Sequence, residues 1–135
     1  MEGLSLFQTD RGVLQWTLSA ASGDMREDEG TLGLASPKLR VFKDGRAAAD
    51  VSADHGDYQE KTGDFQATGR VVAVSREERA ILTTDELDYL ASEGHFKTDR
   101  PVVIDRPNGR TRGTGLVANR DLSEIKILRQ ESNIQ

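Results

Sequence analysis

The residues that could do chemistry in this chain are few, and their spacing is regular. Two pairs of carboxylates stand three positions apart, Asp54/Asp57 and Asp85/Asp88. Such pairs could share acid and base roles or hold a hard cation. Two histidines, His55 and His95, could ligate a metal or relay a proton. Gly109–Gly115 (GRTRGTG) has the glycine density of a loop that cradles phosphate.

None of these survives a test of its surroundings in sequence. The two carboxylate pairs occupy the same place in a repeated pattern, whereas a catalytic or metal site on repeated units is normally built once. Aspartate also favours turns, because its side chain bonds nearby backbone amides, and that structural role is the expected one. The histidines stand 40 positions apart, outside the repeated pattern, and no further ligands lie at metal spacing. They read as surface residues. No Gly-Lys-Ser/Thr follows the glycines, and no helix start receives a phosphate there. There is no G-x-S-x-G elbow and no cysteine. No catalytic residue, metal or cofactor is expected.

The repeat itself is the strongest signal. Ser52–Val74 moved forward 31 positions falls without a gap on Thr83–Asp105, matching Asp54 with Asp85, Tyr58 with Tyr89, Gly63 with Gly94, Phe65 with Phe96 and Val71-Val72 with Val102-Val103. Moved back 33 positions, it matches Ser52-Ala53 with Ser19-Ala20, Gly56-Asp57 with Gly23-Asp24, and Val72 and Val74 with Leu39 and Val41. A period in the thirties marks a supersecondary unit that must stack on its neighbours to bury an apolar side.

Within each unit the signals are those of strands. Leu14, Trp16, Leu18 and Ala20 alternate with polar residues after a turn at Thr9–Gly12. Strands are predicted over Thr31–Ala35 and Lys38–Lys43, broken at Ser36-Pro37. A tight turn at Asp44-Gly45 then leads into Ala47–Ala53. Residues 22–30 read as polar turn. Further strands fall around Tyr58, over Asp64–Val74, from Ala80, over Phe96–Asp105, over Arg112–Asn119 and over Ile125–Leu128. Thr83 and Glu86 imitate a helical capping box, but the repeat partner Ala53–Gly63 has no helical face, so strand is preferred. Pro101 is expected at a strand start, bulge or edge.

At 135 residues this reads as a single domain over 1–135, with residues 1–3 and 129–135 expected to fray. The hydrophobic fraction is 36% and the aromatic fraction 5%, a thin supply for a spherical core and better suited to an open, sheet-based shape. A net charge of −5 excludes the basic face that nucleic-acid binding requires. Arg106, Arg110, Arg112 and Arg120 alternate with acids and read as a solvated strand edge. No run approaches the ~20 apolar residues of a membrane span.

One apolar face remains as the candidate site. Parity and repeat matching place Trp16, Leu18, Val51, Phe65, Phe96, Val102, Ile104, Leu116, Ile125 and Ile127 on the same side. They form either an ordinary closed core or the lining of a groove for an apolar ligand. The groove reading carries the expectation that Phe65→Glu or Phe96→Glu abolishes lipid contact in a folded domain.

The strand Gly12–Ala20, then Gly69–Val74, Leu82–Tyr89, Thr98–Ile104 and Gly113–Leu116 resemble, in this order, segments of the LptC and OstA-like lipopolysaccharide-export family. The resemblance spans residues 4–128 and rests on order and spacing. It implies an all-β, twisted, V-shaped antiparallel jelly roll, built from strand–turn–strand units and open at its edges.

It also implies a periplasmic role: lipopolysaccharide is accepted from an inner-membrane ABC transporter, its acyl chains are held in the groove, and it is passed through edge strands to an LptA-like bridge protein. Edge pairing would equally permit a homo-oligomer. The LptC branch carries an N-terminal membrane helix that this chain does not contain, so the expectation is a periplasmic domain anchored by a segment outside it. The alternatives are a soluble LptA-like bridge protein and a structural β-repeat module that binds no lipid.

Overall fold

A computed structural model describes residues 2–131 of the chain. Eleven strands form one antiparallel sheet: β1 (Glu2–Asp10), β2 (Val13–Arg26), β3 (Thr31–Ala35), β4 (Lys38–Lys43), β5 (Arg46–Ser52), β6 (His55–Gln59), β7 (Phe65–Ser75), β8 (Ala80–Leu90), β9 (His95–Arg106), β10 (Gly109–Asn119) and β11 (Ile125–Gln130). No helix forms among the described residues. Of the ends expected to fray, Met1 and residues 132–135 lie outside the described residues, while Glu2, Arg129 and Gln130 belong to β1 and β11.

The pairing reduces to a simple meander. β3 and β4 meet β2 in one unbroken register, from Arg26↔Thr31 and Ser22↔Ala35 to Ser19↔Lys38 and Trp16↔Val41. They are one strand interrupted at Ser36-Pro37, where proline has no ladder donor to offer. β5 and β6 meet that strand in one register across the crease, Lys38↔Ser52 and Ala35↔His55, with a break at Ala53-Asp54 and a slip near the hairpin between Val41 and Phe42. From there each row pairs with the next through β11.

The β7–β8, β8–β9 and β9–β10 pairings each slip by one residue midway. The slips lie between Thr68 and Val71 of β7, between Thr84 and Asp88 of β8, and between Thr114 and Leu116 of β10. These bulges and strand breaks line up across the sheet as a crease, because a bulge bends its strand and strengthens the local twist.

The crease divides the sheet into two leaves that face each other. The first leaf holds the start of β2, all of β4 and β5, and the Val71–Ser75, Ala80–Thr84 and Pro101–Arg106 segments. The second holds the end of β2, all of β3 and β6, and the Phe65–Thr68, Glu86–Leu90, His95–Thr98 and Leu116–Asn119 segments. One cluster of buried apolar residues fills the space between them, from Leu18, Val41 and Ile104 to Leu34, Leu87 and Phe96. Each such side chain, fully withdrawn from water, contributes ~1.5–3 kcal/mol.

A one-residue slip also exchanges which parity faces inward. In β8 the inward residues are Ala80, Leu82 and Thr84 before the crease but Leu87 and Tyr89 after it.

The crease is tied directly across its rows. Ser36 N–H donates to the Asp54 carbonyl at 2.9 Å, and Asp54 N–H to the Gly69 carbonyl at 2.8 Å. The Arg70 guanidinium donates Nε and Nη2 to the two Asp54 carboxylate oxygens, both at 2.9 Å. Gly69 has φ +79°, and a Cβ there would stand 3.0 Å from that carboxylate. Asp54 is therefore structural. Its repeat partner Asp85 makes no equivalent pair, because the position matching Arg70 is Pro101.

Several expectations are corrected. Residues 22–30 are not all turn: β2 continues to Arg26, since the long strand β3–β4 supplies a partner for each residue and Gly23 leaves room for Leu4, whose Cδ2 lies 2.7 Å from where a Cβ would be. The match of Leu39 and Val41 with Val72 and Val74 fails beyond the crease. Leu39 and Val41 are buried like Val71 and Ala73, because β7 carries one more residue at its bulge than β3–β4. Of the late arginines, Arg106 lies on β9, an interior row, and β11 reaches β10 only from Arg112 onward, so Arg110 stands on an uncovered edge stretch as expected. There Arg110 pairs with Asp105 on the neighbouring strand at 2.6 Å.

Candidate functional site

The second leaf carries an inward row formed by neighbouring strands in register: Leu32, Tyr58, Phe65, Tyr89, Phe96, Ala118 and Ile125. Four of the chain's seven aromatic residues stand side by side in it. The repeat produces this, since Tyr58/Tyr89 and Phe65/Phe96 are matched positions. Tyr89 and Phe96 pack with ring centroids 4.9 Å apart. Phe65 fits only because Gly56 has no side chain, as a Cβ there would lie 2.6 Å from the ring.

This row lies near the tip of the second leaf, farthest from the crease, and Trp16 faces it from the tip of the first. The Trp16 and Tyr58 rings meet edge to face with centroids 5.9 Å apart, an arrangement aromatic quadrupoles favour. Trp16, Leu18, Leu39 and Val41 on one side and Tyr58, Phe65 and Tyr89 on the other line a partly open void of about 10 Å³, about the size needed for one water. Burial pushes the Tyr58 and Tyr89 hydroxyls above the ordinary phenol value, while Arg120 beside Tyr89 opposes the shift.

All ten residues singled out by parity lie on this interior side. Leu18, Val51, Phe65, Phe96, Val102, Ile104 and Leu116 are buried, and Trp16, Ile125 and Ile127 pack partly exposed against them. Sequence reasoning missed Tyr58 and Tyr89 as lining, although the repeat pairs them, and it missed Leu32, Leu34, Leu82 and Leu87. The inward parity of Leu87 and Tyr89 could be read only with the bulges known. Phe65 is 5% exposed and Phe96 1%, so a glutamate at either place would sit in the core, and the expected folded Glu variants are not available from these positions.

The chemistry-bearing residues lie elsewhere. Asp57 accepts from Arg26 at 2.6 Å, across the bare surface of Gly33, with His55 at 3.5 Å. Asp88 sits opposite Gln66 and Lys97 on the outer face, and its Oδ1 is shielded with no hydrogen-bond partner. Among the described residues no group of three or more potential ligands is arranged to hold a metal. Gly109–Gly115 is a strand, part of β10. A polar depression of about 390 Å³, lined by Arg26, Asp57, Gln66 and Asp88 among others, opens on the outer face.

A two-leaved antiparallel jelly roll with an apolar lining and free strands at both ends of the meander defines a class already seen in lipopolysaccharide transport. The crystal structure of LptH, the LptA homologous periplasmic component of the conserved lipopolysaccharide transport device from Pseudomonas aeruginosa, superposes with a TM-score of 0.63, covering 84% of this chain and 82% of that one. At 8% identity the likeness is one of fold. The family model described as "Lipopolysaccharide-assembly, LptC-related" matches residues 1–132, and the chain belongs to that family. A search of curated protein sequences gives no significant match. Membership makes the protein a component of lipopolysaccharide transport.

Proposed function

We propose that this domain is a periplasmic carrier that accepts lipopolysaccharide from an inner-membrane ABC transporter, holds its acyl chains between the two leaves and passes it to an LptA-like bridge protein. The observation that carries the proposal is the single apolar interior of an LptC-related chain, reached at its mouth through Trp16, Tyr58, Phe65 and Tyr89. Each Å² of acyl surface taken from water there contributes ~25 cal/mol. Many weak contacts of this kind suit a carrier that must also release its cargo. Direction comes from the transporter's ATP hydrolysis, and the domain needs no catalytic residue. The net charge of −5 favours leaving the phosphorylated head outside in solvent.

Hand-over is assigned to the edges. β1 and β11 each have one unpaired side among the described strands, with Phe7 on β1 70% exposed and Leu128 on β11 55% exposed. An unpaired edge is a template for adding a strand from a partner or a second copy. Anchoring to the inner membrane by an N-terminal helix outside this chain belongs to the same proposal.

The near absence of free volume between the leaves favours a second reading, a filled structural module that binds no lipid. Photo-crosslinking separates the two. A photoreactive phenylalanine analogue at Phe65, in protein reconstituted with the transporter and lipopolysaccharide, is expected to give an ATP-dependent lipid adduct, while the same group at outward-facing Thr83 gives none. No adduct at Phe65 in a verified fold would leave the filled module.

A further inference from the structure

The leaves join at the crease, yet their tips are joined as well, and the polar ties between the tips come from one turn. Residues 120–123, between β10 and β11 on the second leaf, cross the mouth to three separate strands or turns of the first. Arg120 Nη2 donates to the Gln15 carbonyl of β2 at 3.0 Å. Lys43, at the β4–β5 turn, pairs with Asp121 at 3.2 Å. Ser75, at the end of β7, donates its buried hydroxyl to the Leu122 carbonyl at 2.8 Å. Leu122 is 0% exposed and has φ +59°, a conformation that a branched residue keeps only when its surroundings hold it.

The turn is also stiffened from within. Asn119 donates to Ser123 Oγ at 2.7 Å and accepts from Glu124 N–H at 2.9 Å, while Ser123 N–H donates to the Asp121 carboxylate at 3.0 Å. The other turns at this tip behave differently. The Glu60 N–H bonds the Gly30 carbonyl, and Ala91 N–H bonds the Asp64 carboxylate, all within the second leaf.

We propose that the Arg120–Ser123 turn is a latch across the mouth of the jelly roll, and that an acyl chain enters the interior only when this latch lets go of Gln15, Lys43 and Ser75. The physical ground is the contrast in how the leaves are held. At the crease, parting them would break backbone ladders, whereas at the mouth the polar ties are one backbone carbonyl contact, one ion pair and one hydroxyl bond, beside the Trp16–Tyr58 ring contact and apolar packing. The three polar ties are all borne by one internally bonded turn at the tip of the second leaf. Withdrawing Leu122, a member of the buried apolar cluster, would vacate space inside the leaves at this tip. The latch rests on the carrier reading above and adds the element that opens.

The chain has no cysteine, so a Lys43→Cys/Asp121→Cys pair can be joined selectively by a short thiol-reactive crosslinker. Binding of fluorophore-labelled lipopolysaccharide would be followed for three proteins: wild type, the unjoined pair and the joined pair. The unjoined pair, having lost an exposed ion pair of modest strength, is expected to take up lipid ~2–5-fold faster. The joined pair is expected to slow at least ~10-fold. Ser75→Ala, a milder change that leaves the outer surface intact, should accelerate uptake in the same direction. Equal uptake by joined and unjoined protein would overturn the latch and leave the carrier standing. No uptake by wild type would overturn the carrier and the latch together.

Discussion

The crease and the mouth of this jelly roll join the same two leaves by opposite means. At the crease, the chain itself passes from leaf to leaf in every row, and Ser36, Asp54 and Gly69 bond each other through the backbone. At the mouth, no strand crosses, and three polar contacts from a single turn, beside the Trp16–Tyr58 ring contact, stand in place of the ladder. The comparison teaches that a hinge can be written into a repeat, because each unit carries its own bulge, whereas a closure needs only one copy and has no reason to recur.

The sharpest way to break this arrangement is to attack the floor that both regions share. Phe96→Glu buries a carboxylate in an apolar row and is expected to cost more than ~4 kcal/mol, enough to lose cooperative unfolding. Near-ultraviolet circular dichroism should show the loss of fixed aromatic packing. A folded Phe96→Glu protein would mean that the interior is already open to water.

At the crease, Gly69→Val must force a branched side chain to a positive φ and against the Asp54 carboxylate. Urea denaturation should show a loss of about 2–3 kcal/mol, with lipid uptake slowed because the leaves no longer meet correctly. At the mouth, Ser75→Ala removes the hydroxyl that donates to the Leu122 carbonyl and accepts the Glu78 N–H, and should lower stability by about 1–2 kcal/mol while accelerating uptake. Opposite effects on uptake from two destabilising changes would separate hinge from closure; slowing in both would erase the distinction.

The smallest effect expected is electrostatic. Partial burial pushes the Asp50 carboxyl up, but hydrogen bonds from Arg40 and Arg76 outweigh it and hold the group below the ordinary value of 3.8. Asp121 is likewise pushed up by burial and held lower by Ser123 and Lys43. For a carboxylate depressed in the folded state, the added stability is complete above the unfolded pKa and disappears as pH falls through the folded one. Melting temperature should therefore be flat near neutrality and fall below about pH 4, with Asp50→Asn flattening that limb. An unchanged acid limb in Asp50→Asn would show that the Arg40 and Arg76 pairs are screened by solvent.

Much of this was readable in the order of residues. The repeat of Tyr58 and Phe65 at Tyr89 and Phe96 marked the rows that become the aromatic lining, and the break at Ser36-Pro37 fell where the crease crosses β3 and β4. What misled was local polarity: Ser22–Arg26 resembles a turn until β3 offers it partners. Arg120 resembled the other late arginines, and nothing in its neighbours announced a carbonyl 105 positions away. The bulges hid the rest, because one extra residue in β7 exchanges the faces of everything beyond it, and alternation alone cannot count across such a slip.

By itself, then, the sequence determined the strand class, the period, the apolar side of most rows and the glycine and proline points where rows must bend, since these depend on neighbours along the chain. Only the tertiary structure decided that the leaves close to a void of about 10 Å³ and that one turn fastens them. The physical reason is that closure depends on contacts between residues far apart in sequence, whose meeting is set by the accumulated bend of the whole sheet rather than by any segment of it.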